Sequence, residues 1–81
     1  MAFLYILFSE SLNKFYIGHT TMEPEERLQK HLANHDGFTA KAKDWTIVWT
    51  EAFQDKSNAL ARERQIKAWK SRKKILELIH S

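Results

Sequence analysis

Apolar residues run almost unbroken from Ala2 to Phe8, give way at Ser9-Glu10, and return at Phe15-Tyr16-Ile17. Two short runs rich in aromatic and β-branched residues, joined by the polar link Glu10 to Lys14, predict a hairpin of strands at Phe3–Ser9 and Phe15–His19. Asn13 suits the turn, because its short amide tolerates left-handed backbone. Thr20 to Glu26 then reads as the start of a helix. Pro24 fits the first turn, and Glu23, Glu25 and Glu26 favour the positive end of the helix dipole. Leu28 and Leu32, with His31 beside them, form its apolar face, and the helix should stop before Asp36-Gly37.

The β-branched and aromatic run Trp45 to Phe53 predicts a third strand. Asp55 or Ser57 can cap a second helix reaching about Trp69, with Ala59, Leu60, Ile66 and Trp69 as its apolar stripe. Ser71 can cap a last short helix that buries Ile75, Leu76 and Ile79. The order β-β-α-β-α-α predicts an α+β fold, a small three-stranded antiparallel sheet flanked by helices. Residues 1–81 leave room for one domain and no second core.

Composition narrows the class. Hydrophobic residues make up 43% and aromatics 12%, with two glycines and one proline, which argues for a packed chain and against disorder. Cysteine is absent, so neither disulfides nor thiolate zinc sites hold the fold, and a reducing cytoplasm is the expected compartment. The first apolar run is far shorter than the roughly 20 residues of a membrane helix. Charge is unevenly spread. Residues 1–61 carry 6 basic and 8 acidic side chains, a net of −2, whereas residues 62–81 carry 7 basic and 2 acidic, a net of +5. Arg62, Arg64, Lys67, Lys70, Arg72, Lys73 and Lys74 supply that second half, and such a stretch is either a solvated helical face or a surface for a polyanion.

The candidate chemistry lies in few residues. Tyr5 and Tyr16 stand on neighbouring predicted strands, and both phenols can reach one patch; as a pair they are equally read as core rings with wet hydroxyl tips. Gly18 closes the second strand, where a glycine lets a ligand backbone come close. Arg27 and His31 are four apart on the first helix and share a face. An arginine fork suits phosphate and a histidine can move a proton, although Arg27 can instead pair with Glu23 or Glu26. His31 and His35 have the spacing of a zinc pair, but no glutamate follows His31 and no third ligand lies nearby. Glu63, set among Arg62, Arg64, Lys67 and Lys70, is either a charge-balancing partner or the ligand of a hard cation.

Several short motifs in order carry a resemblance. Tyr16-Ile17-Gly18, Phe3-Leu4-Tyr5, Arg27-Leu28 with His31, the strand Trp45 to Glu51, and the helix Ala59 to Lys67 with its Glu63 together resemble the GIY-YIG nuclease superfamily, in particular its small stand-alone bacterial members. The likeness runs from about residue 3 to 79. Phe3 stands where the first half of the signature has glycine. Some members carry a lysine after the second half, where this chain has His19, to which no role is assigned. The asparagine that follows the last helix in many members has no counterpart.

The resemblance implies a divalent-metal-dependent endonuclease acting on nucleic acid, with DNA expected, and a role in repair or recombination. Glu63 would hold one Mg²⁺ or Mn²⁺. Tyr16 would take the proton of the attacking water, directly or through Tyr5, which requires the metal and the basic cleft to favour a phenolate over a phenol of ordinary pKa near 10. Arg27 would stabilise charge on the phosphate, and His31 would assist the base. Gly18 and the seven cations from Arg62 to Lys74 would line the nucleic acid. The competing expectation is a binding module with a weak or vestigial catalytic site.

Overall fold

The computed structural model describes residues 1–33 and 42–81, and of His31 only the backbone. Its elements are β1 (Ala2–Ser9), β2 (Lys14–Thr20), α1 (Pro24–Ala33), β3 (Thr46–Phe53), α2 (Lys56–Trp69) and α3 (Arg72–Ile79). The expected order and class hold. The three strands form one antiparallel sheet in the order β2-β1-β3. The central position of β1 explains its unbroken apolar run, because a strand covered on both faces has no polar face to present. Ala2, Leu4, Tyr5, Ile6 and Leu7 are all buried.

Side chains of β1 alternate between two cores. Tyr5 and Leu7 pack with Ala42, Trp45, Tyr16, Ile47 and, from α1, Leu28 and Leu32. Leu4 and Ile6 pack on the opposite face with Ile66 of α2 and Ile75, Leu78 and Ile79 of α3. A sheet therefore lies between one helix and two. A bulge in β3 serves this arrangement: Ile6 pairs with Trp49 but Leu7 pairs with Ile47, leaving Val48 as the extra residue. The bulge resets the alternation, so Ile47 enters the first core while Val48 and Trp49 enter the second.

Turns and caps follow the local chemistry. Asn13 takes the left-handed backbone at φ 54°. Asp55, not Ser57, caps α2 by accepting from the Asn58 N–H at 2.9 Å. Lys70 ends that helix at φ 47°, and Ser71 at once caps α3 by accepting from the Lys74 N–H at 3.2 Å. Two expectations need correction. Strand β3 begins at Thr46, with Trp45 just outside it as a buried anchor. On α3, Leu76 is 37% exposed, and the partly buried Leu78 packs on the core in its place, since Ile75, Leu78 and Ile79 form the i, i+3, i+4 stripe. The expected helix end before Asp36-Gly37 and the His35 half of the zinc pair lie outside the described residues. Among the described residues no helix is long and apolar enough to cross a membrane.

Candidate active site

The hairpin register sets the site. Tyr5 pairs with Gly18, and Leu7 with Tyr16, so both tyrosines and the glycine project on the α1 side of the sheet. The two phenol rings lie 6.3 Å apart at 28°, and Tyr16 meets the Trp45 ring edge-on at 6.4 Å. Gly18 has a local reason to be glycine: a Cβ there would come within 2.6 Å of the Tyr5 hydroxyl and 3.2 Å of the Tyr16 ring. The space expected to admit a ligand backbone is taken by the chain's own phenol.

Arg27 reaches this cluster from α1. Tyr5 is only 2% exposed, and its phenol is pushed up to about 12. Burial is the largest cause; negative charge at Tyr16 and Glu63 adds to it, while the hydrogen bond and charge of Arg27 oppose it. Among the described residues, the buried Nε of Arg27 meets no hydrogen-bond partner. A buried guanidinium donor of this kind is costly to leave unmet, and an anionic oxygen would satisfy it.

Glu63 comes from α2, on the other side of the sheet. His19 pairs across β1 with Leu4 and so faces α2, where its Nδ1 lies 2.6 Å from Glu63 Oε1. Lys67, one turn on, donates to Glu63 Oε2 at 2.7 Å. Burial raises the Glu63 pKa, but the hydrogen bonds from Lys67 and His19 outweigh it and hold the carboxyl below its ordinary value. An ionised carboxylate only accepts, so His19 Nδ1 carries the proton of that contact. The single shared patch expected from the sequence is thus split by β2, an edge strand. Tyr5, Tyr16 and Arg27 sit on one side and Glu63 with His19 on the other, and they remain close enough for Glu63 to oppose ionisation of Tyr5.

Family comparison bears on this corner. The family model for the GIY-YIG catalytic domain matches residues 1–75. The chain belongs to the GIY-YIG family. No curated protein and no solved structure matched it. Residues 1–75 of this nuclease-family domain include every element up to the first half of α3, and so all of Tyr5, Tyr16, Arg27, His31 and Glu63.

In this GIY-YIG chain the seven cations from Arg62 to Lys74 are not equivalent. Arg62 is turned to Glu51, with Nε to Oε1 at 2.9 Å, and also bonds Gln65 and lies over the Trp69 ring. Lys67 is tied to Glu63, and Arg72 donates to the Asn13 backbone and side-chain oxygens at 2.8 and 2.6 Å. Arg64, Lys70, Lys73 and Lys74 stand exposed. His31 lies on α1 one turn after Arg27, with its side chain outside the description. Sequence reasoning missed His19 as the partner of Glu63. Its place directly after the Tyr-Ile-Gly motif was the available signal; a separation of 44 positions hid the contact.

Proposed function

We propose that this GIY-YIG domain is an endonuclease that hydrolyses phosphodiester bonds in nucleic acid, with DNA as substrate and Mg²⁺ or Mn²⁺ on Glu63. The observation that carries the reading is an ionised Glu63 on the α2 side of β2 and, on the α1 side of the same strand, two phenols beside Arg27, whose buried Nε meets no partner among the described residues. Among the described residues no group of three or more His, Asp or Glu side chains gathers, and Glu63 is the protein ligand proposed for the cation. Hard cations such as Mg²⁺ commonly accept this, taking the other oxygens from water and phosphate. The donor set fits: each Glu63 oxygen keeps a second lone pair, and Lys67, 55% exposed, is free to swing aside. Bound there, the cation would supply Lewis-acid polarisation of the phosphate and charge relief at the leaving oxygen.

The chain's own groups divide the remaining work. Tyr16, partly exposed at the rim, takes the proton of the water that attacks phosphorus. Tyr5, whose phenol stays protonated to about 12, serves as a hydrogen-bond donor that holds this arrangement and is not itself the base. Arg27 directs its unmet donor to a phosphate oxygen and stabilises the charge that builds there. His31 assists Tyr16. Arg64, Lys70, Lys73 and Lys74 track the phosphates with little base readout, and Arg62, Lys67, Arg72 and Gly18 shape the surface they stand on. DNA repair or recombination in the cytoplasm is the setting that suits such an activity.

One observation favours a second reading. Both Glu63 oxygens are already engaged, by His19 and Lys67, as in a charge-balanced binding module without catalysis. Glu63→Gln separates the two, because the amide keeps the shape of the side chain and removes its charge. A nuclease loses Mg²⁺-dependent nicking while its DNA affinity stays; a binding module shows no nicking in either form.

A further inference from the structure

A groove of about 540 Å³ runs along the outer edge of β2, between that strand and the α2–α3 corner. This volume falls within the roughly 300–1,000 Å³ of clefts that hold small ligands. Its floor is apolar, built from Phe15, Ile17, Ile66 and Ile75. Its rim is cationic: Lys67 at one end, then Lys70 at the turn, then Arg72. Arg72 is held in place by Asn13 and by the Phe15 ring, 5.3 Å below its guanidinium. Lys67, which lines the groove, is also the ion-pair partner of Glu63, so one side chain joins the groove to the candidate carboxylate.

We propose that this groove is a subsite for one unpaired nucleotide next to the cleaved phosphate, an inference that rests on the nuclease reading and names its substrate class. A stacked, paired duplex offers phosphates to the rim but nothing flat and apolar to the floor. A base released from its stack offers both, with its ring against Phe15, Ile17 and Ile75 and its phosphate against Lys70. As β2 is an edge strand, every second residue along it also turns its N–H and C=O away from β1, toward the groove side, where a base edge can meet them. The preferred substrate is then single-stranded, flapped or looped nucleic acid.

The test is binding of the full chain, in chelator, to a fluorescent thymidylate strand of roughly ten nucleotides and to an abasic strand of equal length. The two carry the same phosphate charge. The proposal predicts about tenfold tighter binding of the thymidylate strand. Ile75→Ala should narrow that gap, whereas Lys70→Gly, which suits the left-handed backbone there, should weaken both strands alike and leave the gap in place. Nuclear magnetic resonance with thymidine monophosphate should shift amides of residues 13–17 and 70–75. Equal affinity for the two strands, or shifts elsewhere, would overturn the subsite. Because no metal is present, a base-dependent gap in a protein that never cleaves would keep the subsite and remove the nuclease reading. Cleavage without such a gap would do the reverse.

Discussion

Tyr5 and Gly18 show how a single contact fixes chemistry. The phenol fills the space a side chain at Gly18 would need, and the same burial keeps its proton on. Tyr16→Phe leaves Tyr5 as the one tyrosine in the chain, and its phenolate absorbance should then still appear above the ordinary phenol value, because burial is the largest cause of the shift. The sign is that of a raised pKa: the preference for neutral Tyr5 is complete below the ordinary phenol value and becomes a loss of stability as pH rises toward 12. Ionisation at the ordinary value would show the ring to be wet. Gly18→Ala sets a methyl 2.6 Å from the Tyr5 hydroxyl and 2.7 Å from its Cζ, and should cost about 1–3 kcal/mol in denaturant unfolding. Adding Tyr5→Phe should return only part of that, because Cζ remains.

At this scale the sequence was partly legible. Tyr5, Tyr16, Arg27 and Glu63 were named from residue type and spacing; the structure sets the two phenols with Arg27 on the α1 side of the sheet and Glu63 on the α2 side. His19 escaped because a histidine after a glycine carries no chemistry until a helix 44 residues later lays Glu63 against it. The pairing of Arg62 with Glu51 was hidden for the same reason: charge runs read as one surface until the fold assigns each cation a partner.

Among the elements, the caps and turns were the most readable features, since Asp55, Ser71 and Asn13 act through neighbours two or three residues away. The bulge at Val48 was not readable. Nothing in Ile47-Val48-Trp49 says which residue is the extra one; that depends on which core each ring or branch fills. Asp44 is an element-scale link that the sequence did not reveal. Its carboxylate accepts from Ser9 Oγ at 2.6 Å and from the Ser11 N–H at 2.8 Å, tying the hairpin turn to the entry of β3. These bonds hold its pKa below the ordinary value, Ser9 contributing most. A depressed carboxyl stabilises the fold fully above its unfolded pKa and loses that as pH falls through the folded one. Asp44→Asn should therefore lower the melting temperature at neutral pH and make the acid limb of the stability profile shallower. An unchanged acid limb would show that the link contributes nothing.

For the whole molecule, the α1 layer and the α2–α3 layer each bring half of the candidate site, and the sheet edge is where they meet. The basic C-terminal quarter belongs to the layer that carries Glu63, which places phosphate attraction beside the acid proposed to hold the metal. Because Arg62, Lys67 and Arg72 are engaged within the protein, a slope counted from all seven cations should overstate the salt dependence of DNA binding. Plots of log affinity against log salt should give a slope near that of about four phosphate contacts. A slope near zero would place the nucleic acid elsewhere.

The central claim is that Glu63 commits this site to metal-dependent cleavage. The most direct measurement is a panel of duplex, flapped and single-stranded DNA and RNA incubated with Mg²⁺, Mn²⁺ or chelator, comparing the natural chain with Glu63→Ala. Cleavage by the natural chain that needs the cation and vanishes in the variant is the predicted result. Cleavage that survives in the variant, or none on any strand with either cation, would contradict it.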